Sequence, residues 1–506
     1  MSFPPVGLET WRAQVDKELA GKAFDKVLVH QTLEGLAVAP LYTEAPELPL
    51  LAGSGHPVRI CMRHEQASES AVRADIEGGA DAIWLRAGAL PYPDGVFVVA
   101  DATGLDDVAP KNGVLCFDPI ALAATPDDLV TAARRPQLTP LVSTVSHHDA
   151  GADAVDEIAL ALAGLTQWLA AFDSVAEADR VVLRVSVGRD TFLELCKLRA
   201  LRLCWRKLLA ACGAPAAAAP LLHAVSSTRT LTERDPWVNL LRVTTQTFAA
   251  VLGGADLVTP APFDQLLETP SGLGRRIARN TGLVLRDESA LGRVVDPGAG
   301  SYYFDSLTSE LAHEAWQRFV AIEAEGGIAR ALVGDRFAAT RTARQNAIAT
   351  RKLPILGVSE FANLGETLPS APGPRTADDR RDAASFEALR AKAPAEPALL
   401  FTLGPPLESR ARVGFATSLF GAGGIRTQES AVASAHAVAC ICGTDERYAT
   451  EAADAARALK AAGCRRVLLA GRPATLEAEL RAAGVDDFLY VGCDVVRILG
   501  SLSETP

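Results

Sequence analysis

The sequence predicts an α/β protein built as a parallel (β/α)8 barrel, partly eroded, followed by a small doubly wound sheet. Three observations carry that prediction. Between residues 55 and 350, short β-branched runs alternate with amphipathic helical segments. Repeated βα units of this kind build a parallel sheet, and their number favours a closed TIM-type barrel over an open sheet. The stretch TLPSAPGPRTADDRRDAA then breaks the pattern with Pro, Ala and charge but no periodicity, as an inter-domain linker does. From residue 397 a second series of strand and helix alternations begins, short enough for a flavodoxin-like order. The expected division is a helical arm over 1–45, the barrel over 46–350, a linker over 351–396 and the small sheet over 397–506.

Each element has its own signal. In the arm, WRAQVDKELAGKAF spaces apolar residues helically. PVRICMRH (57–64), ADAIWLR (80–86), GVFVVAD (95–101) and TPLVSTVS (139–146) read as strands, with ASESAVRADIEGG (67–79) as a helix. Val155, Ile158, Leu162, Leu165 and Leu169 form a helical stripe after the fourth of these strands. RVVLRVSVG (180–188), PLLHAVSS (220–227) and ADLVTPAPFD (255–264) continue the strand series. FLELCKLRALRLCWRKLLAAC and DPWVNLLRVTTQTFAAVLGGA are the helices between them, the second stopped by Gly-Gly. Several units are short for an eight-fold barrel, so some strands are expected to be eroded. AAAAP (216–220) reads as a loop or helix end. In the small sheet, PALLFTLG, AVACICG, RRVLLAG and DDFLYVG are strands, separated by ARVGFATSLFGAGG, ERYATEAADAARALKAAG and ATLEAELRAAG as helices.

Composition narrows the function classes. A chain of 506 residues with 49% hydrophobic and 22% charged residues is folded and too long for one core. A net charge of −11 argues against nucleic acid or an anionic membrane as the main partner. Nine cysteines without a framework read as buried, reduced thiols. The N-terminal residues hold no apolar signal core, so a cytoplasmic location is expected.

His147, His148 and Asp149 lie just past the C-terminal end of a barrel strand, the face where barrel enzymes keep their chemistry. Neighbours on an extended strand point to opposite sides, and no third His or Cys stands at ligand spacing. A metal site is therefore not expected, and a hydrogen-bonded or surface role is. Asp149 reads equally as a helix N-cap, because acidic residues follow it in the first turn. His223 at a strand end reads as a satisfied structural histidine, Arg275 and Arg276 as a solvated helix face, and Trp11 and Trp205 as core or interface.

The segment SHHDAGADAVDEIALALA resembles the strand-to-helix junction of the adenosylcobalamin-dependent acyl-CoA mutases. Matching Ala150-Gly151-Ala152-Asp153 to that family places its Tyr-His catalytic pair on Val145 and Ser146, and its glutamate on Asp149. SSTRTLTERDPWVNLLRVTTQTFAAVLGGAD (226–256), with His223 before it, is similar to a second family run. RRIARNTGLVLRDESALGRVVDPGAGSYYFDSLTSELAHEAW (275–316) is the strongest match. The family strand that helps line the acyl-CoA channel has no counterpart between residues 85 and 140.

The resemblance also implies what is missing. Cobalamin-carrying members use Gly-x-Asp-x-His-x-x-Gly in the loop after the first strand of the small sheet. Here the aspartate position is Pro406, the histidine Glu408, the last glycine Ala411, and a preceding lysine Thr402. Glutamate replaces imidazole poorly as a cobalt ligand, and valine and serine cannot replace the tyrosine wedge or the thioester-binding histidine. FPPVGLETWRAQVDKELAGKAF and AGVDDFLYVGCDVVRIL are similar to the non-catalytic small subunits of heterodimeric methylmalonyl-CoA mutases. That implies a homologous large subunit as partner, adenosylcobalamin on that partner and none on this chain, and isomerisation of methylmalonyl-CoA and succinyl-CoA by the complex. The alternative is an acyl-CoA-binding or scaffold protein that has left the mutase reaction.

Overall fold

The computed structural model describes residues 6–51, 57–65, 68–214, 219–268, 270–373, 379–472 and 475–503. Most of the Ala run at 216–220, and part of the Pro/Ala/charge stretch, lie outside the described residues.

Eight parallel strands close a barrel in sequential order. They are β1 (Arg59–Arg63), β2 (Ala82–Arg86), β3 (Phe97–Asp101), β4 (Gly113–Phe117), β5 (Thr139–Ser143), β6 (Val182–Val187), β7 (Leu221–Ser226) and β8 (Leu257–Thr259). Closure is made where Leu257 and Val258 pair with Arg59 and Ile60. Strand erosion is thus not what happened. The missing parts are helices: residues 87–96 and 102–112 join β2 to β3 and β3 to β4 without one. Strand β4, GVLCF, is missed in the sequence reading; it stands between Asn112 and Asp118-Pro119, where the strand-and-helix alternation lapses because no helix precedes it.

The remaining crossovers carry helices. Ala154–Ala171, Thr191–Ala211 and Asn239–Leu252 follow β5, β6 and β7. Ala154–Ala171 is capped by Asp153, whose carboxylate accepts from the Asp156 amide at 2.7 Å. It alone, among the described residues, is long and apolar enough to cross a membrane, but 78% of it is buried in the molecule. Its neighbours are Thr191–Ala211 and the long helix Tyr302–Ala324. Gly164 permits its closest approach to the barrel, since a Cβ there would lie 2.7 Å from Val142 Cγ1.

The second sheet is parallel, with strands β9 (Ala398–Thr402), β10 (Thr427–Ser430), β11 (Val438–Cys442), β12 (Arg466–Ala470) and β13 (Asp487–Leu489) in the order β10-β9-β11-β12-β13. This is the flavodoxin-like order. Strand β10, TQES, has no apolar alternation because it is an exposed edge, which is why four strands are visible in the sequence and five in the structure. The stretch 351–396 carries the helix Ala384–Ala391, and Ile355, Val358 and Phe386 are buried in the second core.

The arm holds the helix Leu8–Leu19, in which Leu19 is the one buried residue. Trp11 meets Phe24 edge-on at 6.3 Å, so it belongs to the arm, whereas Trp205 is buried in the barrel wall. All nine cysteines are free, Cys212 exposed and the others buried.

Candidate functional site

The C-terminal mouth of the barrel is the natural place for chemistry in this architecture. Its lumen is filled by side chains. Cys61, Ala82, Val99, Cys116, Leu141, Val182 and Leu257 form an apolar layer, with Trp84 and Val225 above it. Burial pushes the Cys61 and Cys116 thiols up to about 12, so they stay protonated. Toward the mouth, Arg184 donates to Asp101 at 2.8 Å and to His223 Nδ1 at 3.2 Å. The Trp84 indole N–H donates to the other oxygen of Asp101 at 2.7 Å. Arg63 and Arg184 stack on Trp84 at 4.4 and 4.1 Å, and His223 meets its edge at 5.1 Å.

His223 is fully buried, and its Nε2 lies 2.8 Å from Thr259 Oγ1. Burial, helped by Arg184 and Arg63, holds it well below the ordinary histidine range. The imidazole is neutral and both nitrogens have partners. A cavity of about 360 Å³ remains above this layer, bounded by Arg63, His64, Thr259 and Arg275.

His147, His148 and Asp149 sit just past the strand, as expected, on a short helix, Val145–Ala150, that begins where the last residues of the expected strand would lie. They point to three different environments. His147 packs against Phe337, ring centroids 6.2 Å apart. His148 is buried, with Nδ1 2.8 Å from Glu157 Oε1 and Nε2 2.7 Å from Ser227 Oγ. Burial and the nearby Arg229 lower its value to about 3, against the pull of Glu157. Lys197 completes the network, 3.1 Å from Glu157 and also paired with Glu194. Burial alone would raise Glu157, but Lys197 and His148 hold it below the carboxylate range. The partners of these groups are all internal.

Asp149 does not cap the following helix; Asp153 does. Asp149 instead accepts from Thr228 Oγ1 at 3.3 Å, and burial raises its carboxyl to about 6. Val145 packs at the top of the lumen and Ser146 is exposed. Neither side chain can wedge against a substrate as an aromatic ring does, or offer an imidazole N–H. Arg275 also departs from expectation: it is half-buried and paired with Asp75, while Arg276 is exposed. No cluster of three or more His, Cys, Asp or Glu side chains suited to a metal occurs among the described residues.

In the second sheet the ligand-binding crevice of this topology lies at the switch point between β9 and β11. Pro406, Glu408 and Ala411 are not in a loop but on the first turns of the helix Pro406–Ala422, entered through Pro405-Pro406. Glu408 accepts from Arg447 Nε at 3.0 Å across the crevice. Arg412 and Asp445 make a second bridge of 3.0 Å between the same two helices. Gly404 lies beneath: a Cβ there would come within 2.8 Å of Arg447 Nε and 2.9 Å of Glu408 Oε2.

Sequence reasoning missed Arg184, Asp101 and Trp84 in the lumen, and Glu157, Lys197 and Ser227 around His148. One signal was available. Thr191–Ala211 has Leu, Ala and Cys on every side and yet contains Glu194, Lys197, Arg199 and Arg202, all buried. A helix apolar all round is buried, so each embedded charge requires an internal partner. Arg199 finds Asp296 and Asp305, and Arg202 finds Asp256.

Comparison with known proteins gives a consistent picture. The methylmalonyl-CoA mutase family model matches residues 130–397. The methylmalonyl-CoA mutase small subunit of Streptomyces virginiae is 35% identical over 99% of this chain and 96% of its own length. The probable methylmalonyl-CoA mutase small subunit of Mycobacterium bovis is 35% identical over 97% of this chain and 94% of its own. That of Porphyromonas gingivalis is 28% identical over 99% of this chain and 97% of its own. The alignment with the Streptomyces protein runs over 605 positions, so the relative carries internal segments that these 506 residues lack. This chain belongs to the methylmalonyl-CoA mutase family.

Proposed function

We propose that this chain is the non-catalytic small subunit of a heterodimeric methylmalonyl-CoA mutase, whose large subunit isomerises methylmalonyl-CoA and succinyl-CoA. The observation that carries the reading is Glu408. It stands where the resemblance places the cobalt-ligating imidazole, and it is already engaged by Arg447. A carboxylate held by a guanidinium is a poor donor for a corrinoid cobalt, and Pro406 offers no carboxylate to orient one. The residues present therefore do not fit adenosylcobalamin, which we assign to the large subunit.

Two further observations support the reading. Val145 and Ser146 lack the aromatic and imidazole groups that the reaction uses, and Trp84, Arg184 and His223 fill the lumen where an acyl-CoA would thread. The names of the full-length relatives agree with a small subunit. In this reading the chain supports its partner's barrel through a permanent interface. The arm is a natural contributor, since a 12-residue helix that buries one residue is marginal in water by itself.

Co-expression with a homologous large subunit tests the proposal. The two chains are expected to co-purify and the complex to turn over methylmalonyl-CoA, while this chain alone does neither chemistry nor corrinoid binding. Removing the arm is expected to weaken the complex. Turnover by this chain alone, or failure of the pair to associate, would contradict the proposal.

A further inference from the structure

The stretch between the barrel and the second sheet, expected as a linker, is built into both. Its helix Ala384–Ala391 packs on the last helix of the chain, Val495–Ser503. Phe386 and Leu389 seat it in the second core. Arg390 holds the preceding strap, donating to the carbonyls of Gly357 at 3.1 Å and Val358 at 2.8 Å. Glu387, 0% exposed, reaches out of this core to the barrel.

It ends on the mouth loop after β7, residues 227–235. Glu387 Oε1 accepts the backbone amides of Glu233 at 2.7 Å and Arg234 at 3.3 Å. Glu366 Oε2 takes the next amide, that of Asp235, at 2.6 Å. Three successive barrel amides are thus satisfied by two carboxylates from outside the barrel. The Asp382 amide adds a bond to the Arg229 carbonyl at 2.9 Å. Arg381 stands between Glu387 and Glu233, 2.9 and 2.8 Å away. Asp235 has φ 46°, in the left-handed region, and such a conformation persists where its surroundings impose it. Gly357 makes room for it, since a Cβ there would lie 3.0 Å from Asp235 Cβ.

The other end of the same loop holds the mouth. Arg229 donates to the carbonyls of His148 and Ala152, the latter at 3.1 Å. Thr228 donates to Asp149 at 3.3 Å, and Ser227 Oγ lies 2.7 Å from His148 Nε2. A buried carboxylate is costly unless its hydrogen-bond partners are in place, so Glu387 and the loop amides depend on each other. One contiguous network therefore runs from the second core, through Glu387, to the mouth.

We propose that helix Ala384–Ala391 is a latch through which the seating of the second sheet sets the conformation of the mouth loop. The loop keeps its form while Phe386 holds the helix in the second core and Glu387 holds the amides. This inference stands apart from the subunit assignment, since it concerns neither cobalamin nor turnover.

Hydrogen–deuterium exchange of the full chain tests it, read at the amides of Glu233 and Arg234 and, for comparison, in β6 of the barrel wall. Glu387→Ala should speed exchange at the two loop amides about tenfold or more. Glu387→Gln keeps an accepting oxygen and should hold most of their protection. Phe386→Ala, altered only inside the second core, should speed the same amides about threefold or more. Leu407→Ala, 83% exposed on the second module, should leave them unchanged. In every variant β6 should exchange as in the parent chain. Unchanged loop amides in Glu387→Ala would overturn the latch, and Glu387→Gln as fast as Glu387→Ala would overturn the role of the capping oxygen. Faster exchange in Glu387→Ala but not in Phe386→Ala would overturn the coupling to the second sheet. Equal acceleration in β6 would replace the latch with general unfolding.

Discussion

Strands β1–β4 and β5–β8 form one continuous parallel ladder, but only the second four are each followed by a helix of full length. In the first half, two connections have none, and Leu90, Tyr92, Leu105 and Ala109 from the loops pack on the core instead. The family model begins to match at residue 130, close to the boundary between the halves. The comparison teaches that closure depends on the ladder and on a filled lumen, not on an unbroken ring of helices. Trp84 and Asp101 from the first half meet Arg184 and His223 from the second, so the lumen ties the halves together from within.

The halves also differ in how they hold charge. The second buries Lys197 between Glu157 and Glu194, with side chains almost wholly out of water. Replacing Lys197 by Met leaves two buried carboxylates without their cation and is expected to cost about 3–5 kcal/mol. Urea unfolding would measure it, and a loss under 1 kcal/mol would show that water reaches the network.

Acid is the next largest lever. His148 binds its proton less readily in the folded chain, at about 3, than in the unfolded chain, near 6.5. Its contribution is full above 6.5 and is lost as pH falls through that value toward 3. His223 is shifted in the same direction. Stability is expected to drop between pH 6.5 and 4, and His148→Gln should reduce the drop by roughly 2 kcal/mol. An unchanged pH profile in that variant would place the acid sensitivity elsewhere.

Smaller effects probe the first half. Leu105→Ala, in a loop that replaces a helix, should cost roughly 1 kcal/mol, less than a fully buried leucine in the second half. Val108→Ser, 77% exposed on the same loop, should change stability by no more than about 0.5 kcal/mol. Chemical denaturation of both variants checks whether that loop carries structural weight.

What could be read from the residues follows the same division. Long apolar helices and β-branched strands announce themselves by periodicity, so the fold class and the helices after β5, β6 and β7 were legible. Polar edge strand β10 carries no apolar position to register, and apolar β4 lies in a stretch where the alternation of strand and helix lapses. Family resemblance pointed to Val145 and Ser146 at the mouth and to Glu408 in the second sheet, but contacts such as Arg184 with Asp101 link residues 83 positions apart and leave no local pattern. Asp149 was read as a cap because acidic residues follow it; Asp153, four residues on, satisfies the same rule with the helix starting one residue later. Glu408 was read in a loop, whereas Pro405-Pro406 starts the helix early.

Visible absorption of adenosylcobalamin mixed with the isolated chain, followed by gel filtration, addresses the central claim most directly. An unaltered spectrum and no corrinoid eluting with the protein are the predicted result. A retained corrinoid with the spectrum of protein-ligated cobalt would contradict the account.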